Sequence, residues 1–320
     1  MILILKKMML MLNDRISISI KQMCAEAGFI KTGFSGYEVL KEESGFLRMW
    51  LDKGLNAGMQ WMHNSFEKRR DPSLILEDVR SVISLAYFYD TPAEHDENIR
   101  IPKISRYAWG KKDYHKILKK KLKHLCNEIE KLETGIRTKS YIDDGPVMDK
   151  VWAQRSGLGW IGKNTNVLNK DFGSYFFIAT IFINRELNYD KPVEDLCGSC
   201  NLCIEACPTG ALFKDYNLDS NLCISYQTIE NREDIPADLN LNGWIFGCDI
   251  CQEVCPFTRN KFFTNDENFY PSPKHFNKTY DELISLSEDD FNNTFNGTPV
   301  KRTKYRGWLR NLKKAGEEIV

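Results

Sequence analysis

The chain has 320 residues, and its 44 Lys and Arg against 44 Asp and Glu give a formal net charge of zero. With 42% hydrophobic and 28% charged residues it has the composition of a globular protein, which excludes collagen-like and wholly disordered chains. The length suits about two domains, or one with a large extension. The one departure is cysteine: of ten, eight fall between Cys197 and Cys255.

The first segment, Met1 to Leu12, is apolar, but Lys6 and Lys7 interrupt it and no small-residue cleavage site follows. It reads as a frayed extension, or as an upstream start, rather than an export signal. The run from Met8 to Leu12 falls far short of the roughly 20 residues of a membrane span. A cytoplasmic protein with no membrane contact is expected, and there clustered cysteines bind metal more often than they pair.

Residues 14–189 read as mixed α/β. The stretch Ile16-Ser-Ile-Ser-Ile20 alternates, but the run to Ala27 suits an amphipathic helix ending at Gly28. Val79 to Tyr89 is a β-rich apolar run, a buried central strand. Tyr114 to Leu132 sets Ile117, Leu118, Leu122, Leu125, Ile129 and Leu132 at helical spacing, with lysines opposite. Ser140 to Asp143 reads as a strand end, Pro146 as the first turn of a helix to Ser156, and Ser174 to Asn184 as a second buried strand. Such alternation predicts an α/β sheet. Residues 190–260 carry the cysteines on short helices and loops. Residues 261–320 form a C-terminal extension, acidic at Ser287 to Asp290 and basic from Val300.

The first cysteine motif, Cys197-Gly-Ser-Cys200-Asn-Leu-Cys203-Ile-Glu-Ala-Cys207-Pro208, is the C-x2-C-x2-C-x3-C-P run of bacterial ferredoxins. Three thiolates on a tight loop grip three corners of a cubane, and the fourth turns away to another cluster. The second motif, Cys248-Asp-Ile-Cys251-Gln-Glu-Val-Cys255-Pro256, has one cysteine fewer, which Cys223 can supply. By the ferredoxin crossover, one [4Fe–4S] cluster takes Cys197, Cys200, Cys203 and Cys255, and the other takes Cys207, Cys223, Cys248 and Cys251. Two zinc sites are the alternative, although zinc sites usually present cysteines in separated pairs. Cys24 and Cys126, on amphipathic helices, read as buried apolar residues.

Two cubanes need well under 100 residues, so the preceding stretch has another task. Its densest segment runs from Tyr141-Ile-Asp-Asp-Gly-Pro146 to Arg155-Ser-Gly-Leu-Gly-Trp-Ile-Gly-Lys-Asn-Thr-Asn166. Gly157, Gly159 and Gly162 allow the backbone close to a large flat or phosphate-bearing ligand, yet they match neither the dinucleotide nor the P-loop spacing. Asp143 and Asp144 stand where a strand gives way to a helix, either as site residues or as turn and cap residues.

These segments, with Arg106-Tyr-Ala-Trp-Gly-Lys-Lys-Asp-Tyr-His115, Lys68-Arg-Arg-Asp-Pro72 and the two cysteine motifs in this order, resemble the epoxyqueuosine reductase family over about residues 14 to 310. The resemblance implies an N-terminal cobalamin-binding α/β domain followed by a ferredoxin-like dicluster domain. It implies reduction of the epoxide of epoxyqueuosine to the alkene of queuosine at the wobble position of tRNA, the last step of queuosine biosynthesis. Longer members carry a C-terminal helical-repeat extension that is not found here. Asp143 matches the family's proposed proton donor. Arg69, Tyr107 and the loop of Gly157, Gly159, Gly162, Lys163, Asn164, Thr165, Asn166 and Val167 match stretches that line the corrinoid pocket. No D-x-H-x-x-G motif is present, since Asp113-Tyr-His115 runs on as Lys-Ile-Leu, which agrees with base-off cobalamin. His115 reads as a helix-surface residue, and His63, His95, His124 and His275 show no ligand spacing. Removing an epoxide oxygen takes two electrons, supplied one at a time by an external donor, and a proton at the departing oxygen.

Zero net charge opposes generic nucleic-acid binding, but charge is local. Lys301, Arg302, Lys304, Arg306, Arg310, Lys313 and Lys314 stand with no acid among them, and Tyr305 and Trp308 interleave as candidate stacking surfaces for anticodon-loop bases. Lys119, Lys120, Lys121 and Lys123 form a second basic face. Each set can also be an ordinary solvated surface. A reductive dehalogenase remains the nearest alternative, and a non-catalytic dicluster electron carrier the alternative of another class. Nothing in the sequence requires more than a monomer.

Overall fold

The computed structural model describes residues 2–259 and 262–317. Helix α1 (Ile2–Glu26) begins upstream of the expected start, so the leader continues the helix instead of fraying ahead of it. Ile16, Ile20 and Cys24, four residues apart, share its buried face. Ile18 between them is 66% exposed, so the Ile-Ser-Ile-Ser-Ile alternation has helical and not strand periodicity. Strand β1 (Lys31–Gly36) leads to the short helices α2 (Lys41–Asp52), α3 (Trp61–Asn64) and α4 (Phe66–Arg70). Then come β2 (Ser81–Phe88), β3 (Lys103–Ile104), α5 (Tyr114–Glu130), β4 (Thr138–Tyr141) and α6 (Asp149–Arg155). The lobe closes with β5 (Trp160–Ile161), β6 (Val167–Leu168) and β7 (Phe176–Ile183).

The main sheet has the order β1-β2-β7-β4, and all its neighbours are antiparallel. The two apolar runs read from the sequence are its central strands, with Ile83 opposite Ile181 and Val82 opposite Phe182. Side chains alternate between faces. Ile83, Leu85, Tyr87, Phe177, Ala179 and Ile181 pack on α1 and α5, while Val82 and Phe182 pack on Val151 and Trp152 of α6. Helices on both faces explain why β2 and β7 are buried almost throughout. Helix α6 starts at Asp149, three residues after the expected Pro146, because residues 143–148 form the turn that carries the two aspartates.

The cysteine region supplies α7 (Leu202–Glu205), α8 (Ile224–Ile229), β8 (Trp244–Phe246) and α9 (Ile250–Glu253). Helices α10 (Tyr280–Ile284), α11 (Glu288–Thr294) and α12 (Lys304–Gly316) follow. The acidic stretch at Ser287 begins α11: Ser287 and Asp290 form a capping box, with acids where the helix dipole favours them. Strand β8 pairs in parallel with β3. A second core joins Ile104 and Trp109 to Ile224, Trp244 and Phe246, and to Phe291, Phe295, Trp308 and Leu312 of the C-terminal helices. All three stretches of the chain thus share packing around the cysteines. Among the described residues no helix is long and apolar enough to cross a membrane.

Candidate active site and metal centres

Helices α7 and α9 are each a single turn, Leu-Cys-Ile-Glu and Ile-Cys-Gln-Glu, and each carries one motif cysteine, Cys203 or Cys251. Each is followed by Cys-Pro, and a residue before proline is driven out of helical conformation, so Cys207 and Cys255 leave their own loop. Cys197, Cys200, Cys203 and Cys255 line one cavity with Lys163, Asn164, Leu168 and Phe257. Trp160 Nε1 donates to Cys197 Sγ at 3.4 Å. The other thiols act on one another: Cys251 feels the charges of Cys223 and Cys207, as well as of Cys203, and Cys248 those of Cys251 and Cys223. Burial raises Cys203 to about 11 and holds Cys223, Cys248 and Cys251 above the ordinary thiol range. Buried thiols of this kind are poor residents without a cation to stabilise their thiolates, which fits metal ligation. No cysteine is in a disulfide.

Asp249, between two motif cysteines, accepts from Ser105 Oγ at 2.5 Å and from the Arg106 backbone N–H at 2.7 Å. Arg106 runs on to Asp90 at 3.4 Å and Glu94 at 2.5 Å. His95, Asp249 and Glu253 offer ligand atoms within 4.8 Å of one another, but the Arg106 guanidinium stands 3.9 Å from Glu253 and completes an ion network there. No sequence pattern marks this network, which ties the second cysteine loop to the segment bearing Tyr107.

Asp143 follows the end of β4 in left-handed conformation (φ +54°), which aspartate tolerates better than most residues. Asp143 is exposed, and its Oδ2 accepts from the Tyr114 hydroxyl at 2.6 Å. Arg69, Tyr107, Lys150 and Arg302 all feel its charge. Arg69 donates from Nη1 to Val147 O at 2.8 Å, and its buried Nε has no partner among the described residues. Arg302 is held by Glu230 at 2.5 and 3.0 Å. Lys150 joins the two halves. Its exposed side chain donates to Thr165 O at 2.8 Å and Asn166 Oδ1 at 3.2 Å, and Asp143, Cys251 and Cys223 lie within reach of its charge. Lys150 thus stands between the Asp143 turn and the second cysteine set in the electrostatics of the site.

Several expected site residues are engaged within the protein. Lys163 is buried and reaches Asn201 at 2.8 Å and Asp215 at 3.0 Å, and Asn164 donates to Cys251 O at 3.0 Å, so both brace the cysteine loops. Gly157, Gly159 and Gly162 serve close packing within the protein. A Cβ at Gly159 would stand 2.1 Å from Leu168 O and one at Gly157 2.4 Å from Lys191 O, while one at Gly162 would meet the Leu168 side chain at 2.5 Å. Val167 is a core residue. Of that loop, Thr165 and Asn166 accept from Lys150. Trp308 is fully buried and cannot stack on a base, because α12 turns it into the second core. Tyr305 is half-buried, with its hydroxyl on Leu286 O at 2.8 Å. Lys301 is held by Asn292 and Arg310 by backbone carbonyls of residues 227–233, while Lys304 and Arg306 are exposed. On α5, Lys121 turns in to Ala27 O and Lys119 holds Asp144 at 2.5 Å. His115 is half-buried, stacked on Tyr114 with Nδ1 at 2.8 Å from Asp113.

Comparison with known proteins agrees with this geometry. An epoxyqueuosine reductase family model matches residues 69–144, from Arg69 to Asp144, and a 4Fe-4S double cluster binding domain matches residues 196–258. An epoxyqueuosine reductase of Atelocyanobacterium thalassa is 43% identical over 306 residues, covering 93% of this chain and 98% of the relative. One of Cellulophaga algicola is 41% identical over 302 residues, covering 94% and 98%. A crystal structure of an epoxyqueuosine reductase with an epoxyqueuosine-modified tRNA-Tyr stem loop superposes with TM-score 0.83 at 28% identity, covering 95% of this chain and 82% of that one. The Bacillus subtilis enzyme with its catalytic aspartate loop swung out of the active site superposes with TM-score 0.88 at the same identity and coverage.

Proposed function

Since this chain belongs to the epoxyqueuosine reductase family, we propose how its residues divide the work of reducing the epoxide of epoxyqueuosine in tRNA to the alkene of queuosine. The observation that carries the reading is that Asp143, exposed and held by Tyr114, and Lys150, which holds the 165–166 loop, lie within electrostatic reach of each other and of the Cys223 and Cys251 thiols, which brings a proton donor and an electron source to one region. The residues there suit base-off cobalamin: Asp143 and Lys150 are exposed, and the buried Arg69 Nε has no partner among the described residues. When bound, it supplies the strongly reducing centre that this two-electron bond cleavage requires.

The protein residues do the rest. Two electrons and two protons convert the epoxide to alkene and water, and Asp143 delivers the first proton to the departing oxygen. Arg69, Tyr107, Thr165 and Asn166 line the corrinoid pocket. Cys197, Cys200, Cys203 and Cys255 hold one [4Fe–4S] cluster and Cys207, Cys223, Cys248 and Cys251 the other. Electrons enter from an external one-electron donor. Residues 14–189 thus carry catalysis, 190–260 electron transfer, and 261–320 the RNA-facing surface. There Arg302 feels the charge of Asp143, and the exposed Lys304 and Arg306 add positive charge for tRNA phosphates. A cytoplasmic monomer suffices for this chemistry. The test is an anaerobic assay of the reconstituted protein with cobalamin on epoxyqueuosine-containing tRNA. Formation of queuosine is expected, and an unaltered epoxide in protein loaded with both clusters and corrinoid would overturn the reading.

A further inference from the structure

We infer that Tyr114 is the positioning residue of the proton donor, and that helix α5 locks the catalytic turn through two side chains, Tyr114 on Asp143 and Lys119 on Asp144. This inference rests on the reading of Asp143 as proton donor. The Tyr114 hydroxyl donates to Asp143 Oδ2 at 2.6 Å, and no partner for Oδ1 is found among the described residues. One carboxylate oxygen is therefore fixed by the protein and the other remains to hold and deliver the proton.

Three features make Tyr114 a rigid anchor. Its ring lies nearly parallel to Phe177 (8°, 4.2 Å), His115 stacks on it at 4.0 Å, and Tyr107 meets it edge-on at 6.0 Å. It is the first residue of α5, and Asp113 caps that end by accepting from the His115 N–H at 2.9 Å. Burial and the adjacent Asp143 charge keep its hydroxyl protonated well beyond the ordinary phenol range, so toward this carboxylate it is always the donor. One helical turn further on, Lys119 Nζ holds Asp144 Oδ2 at 2.5 Å, while Asp144 Oδ1 accepts from the Ile142 N–H at 3.0 Å.

The turn needs such anchors. Asp143 has a left-handed backbone that an L-residue keeps only when its surroundings impose it. Asp143 is exposed, and in the Bacillus subtilis structure a catalytic aspartate loop stands swung out of the active site. Loss of the Tyr114 hydroxyl should release the turn and leave the ring packing untouched.

The experiment compares Tyr114→Phe with the wild type as holoenzymes. Single-turnover reduction should fall about tenfold, the usual scale for one hydrogen bond to a charged group, with iron content, corrinoid binding and tRNA affinity unchanged. In an Asp143→Ala background the same substitution should have no further effect, because a residue acting through Asp143 has nothing left to act on. Amide hydrogen exchange across residues 141–146 should quicken several-fold in Tyr114→Phe, and in Lys119→Met as well, while the rest of α5 keeps its protection. Equal losses in both backgrounds, or unchanged exchange in the turn, would overturn the inference. Wild-type turnover in Asp143→Ala alone would instead remove the proton-donor reading, and the exchange measurement is independent of that outcome.

Discussion

The thiols of the cysteine region come from two short segments and Cys223, whereas the groups around Asp143 come from places as distant as Arg69, Tyr107, Tyr114, Lys150 and Arg302. The first is written by local spacing, since a cubane needs three ligands on one tight loop. The second exists only after the sheet, α5 and the C-terminal helices have packed. A locally specified centre should lose its occupant with one ligand, while a convergent one should lose function and keep its occupants.

Cys251→Ala carries the largest expected effect: about half the iron and all turnover lost, since Cys251 stands between the other thiols of its set and Lys150. Full iron content in that variant would break the assignment of Cys251 to a cluster. Trp308→Ala comes next. As a fully buried core residue it should cost about 3–5 kcal/mol of stability, seen as a lowered Tm, with unchanged tRNA affinity in the protein that stays folded. Weaker tRNA binding at undiminished stability would restore the stacking role that its burial denies.

Replacing Lys304 and Arg306 together by Ala should weaken tRNA binding modestly and flatten the slope of log affinity against log salt by about 1.5, since each phosphate contact contributes about 0.7–0.9. An unchanged slope would move the RNA surface elsewhere. The smallest effect belongs to Asp149, whose carboxyl burial pushes up to about 6 although Thr180 Oγ1 donates to it at 2.6 Å. A raised carboxyl favours the folded state in its neutral form, so its contribution is full below the ordinary carboxylate range and is lost as pH rises through about 6. Asp149→Asn should therefore gain roughly 1 kcal/mol over wild type between pH 4 and pH 7. An equal difference at both pH values would show that Asp149 is not a strained buried charge.

The same contrast explains how much could be read from the sequence. The cysteine sets, the two central strands and α5 were legible because ligand spacing and side-chain periodicity are local. The role of Asp143 was available only through the family motifs. Gly157, Gly159 and Gly162 announce close backbone approach but not its object, and the structure brings Lys191 and Leu168 against them. Trp308 sits in a basic stretch, yet the helical phase of α12 points it inward with Leu312 and Ala315, four and seven residues on, a spacing visible in the sequence once the helix is assigned. Arg302 and Lys301 looked free because their partners, Glu230 and Asn292, are 72 and 9 residues away.

The central proposal is that Asp143 is the proton donor. Its most direct test is single-turnover reduction of epoxyqueuosine-containing tRNA by Asp143→Asn, loaded with both clusters and cobalamin. The expected result is normal iron content and corrinoid spectrum with the rate reduced about 10²–10⁴-fold. A wild-type rate in that fully loaded variant would contradict it.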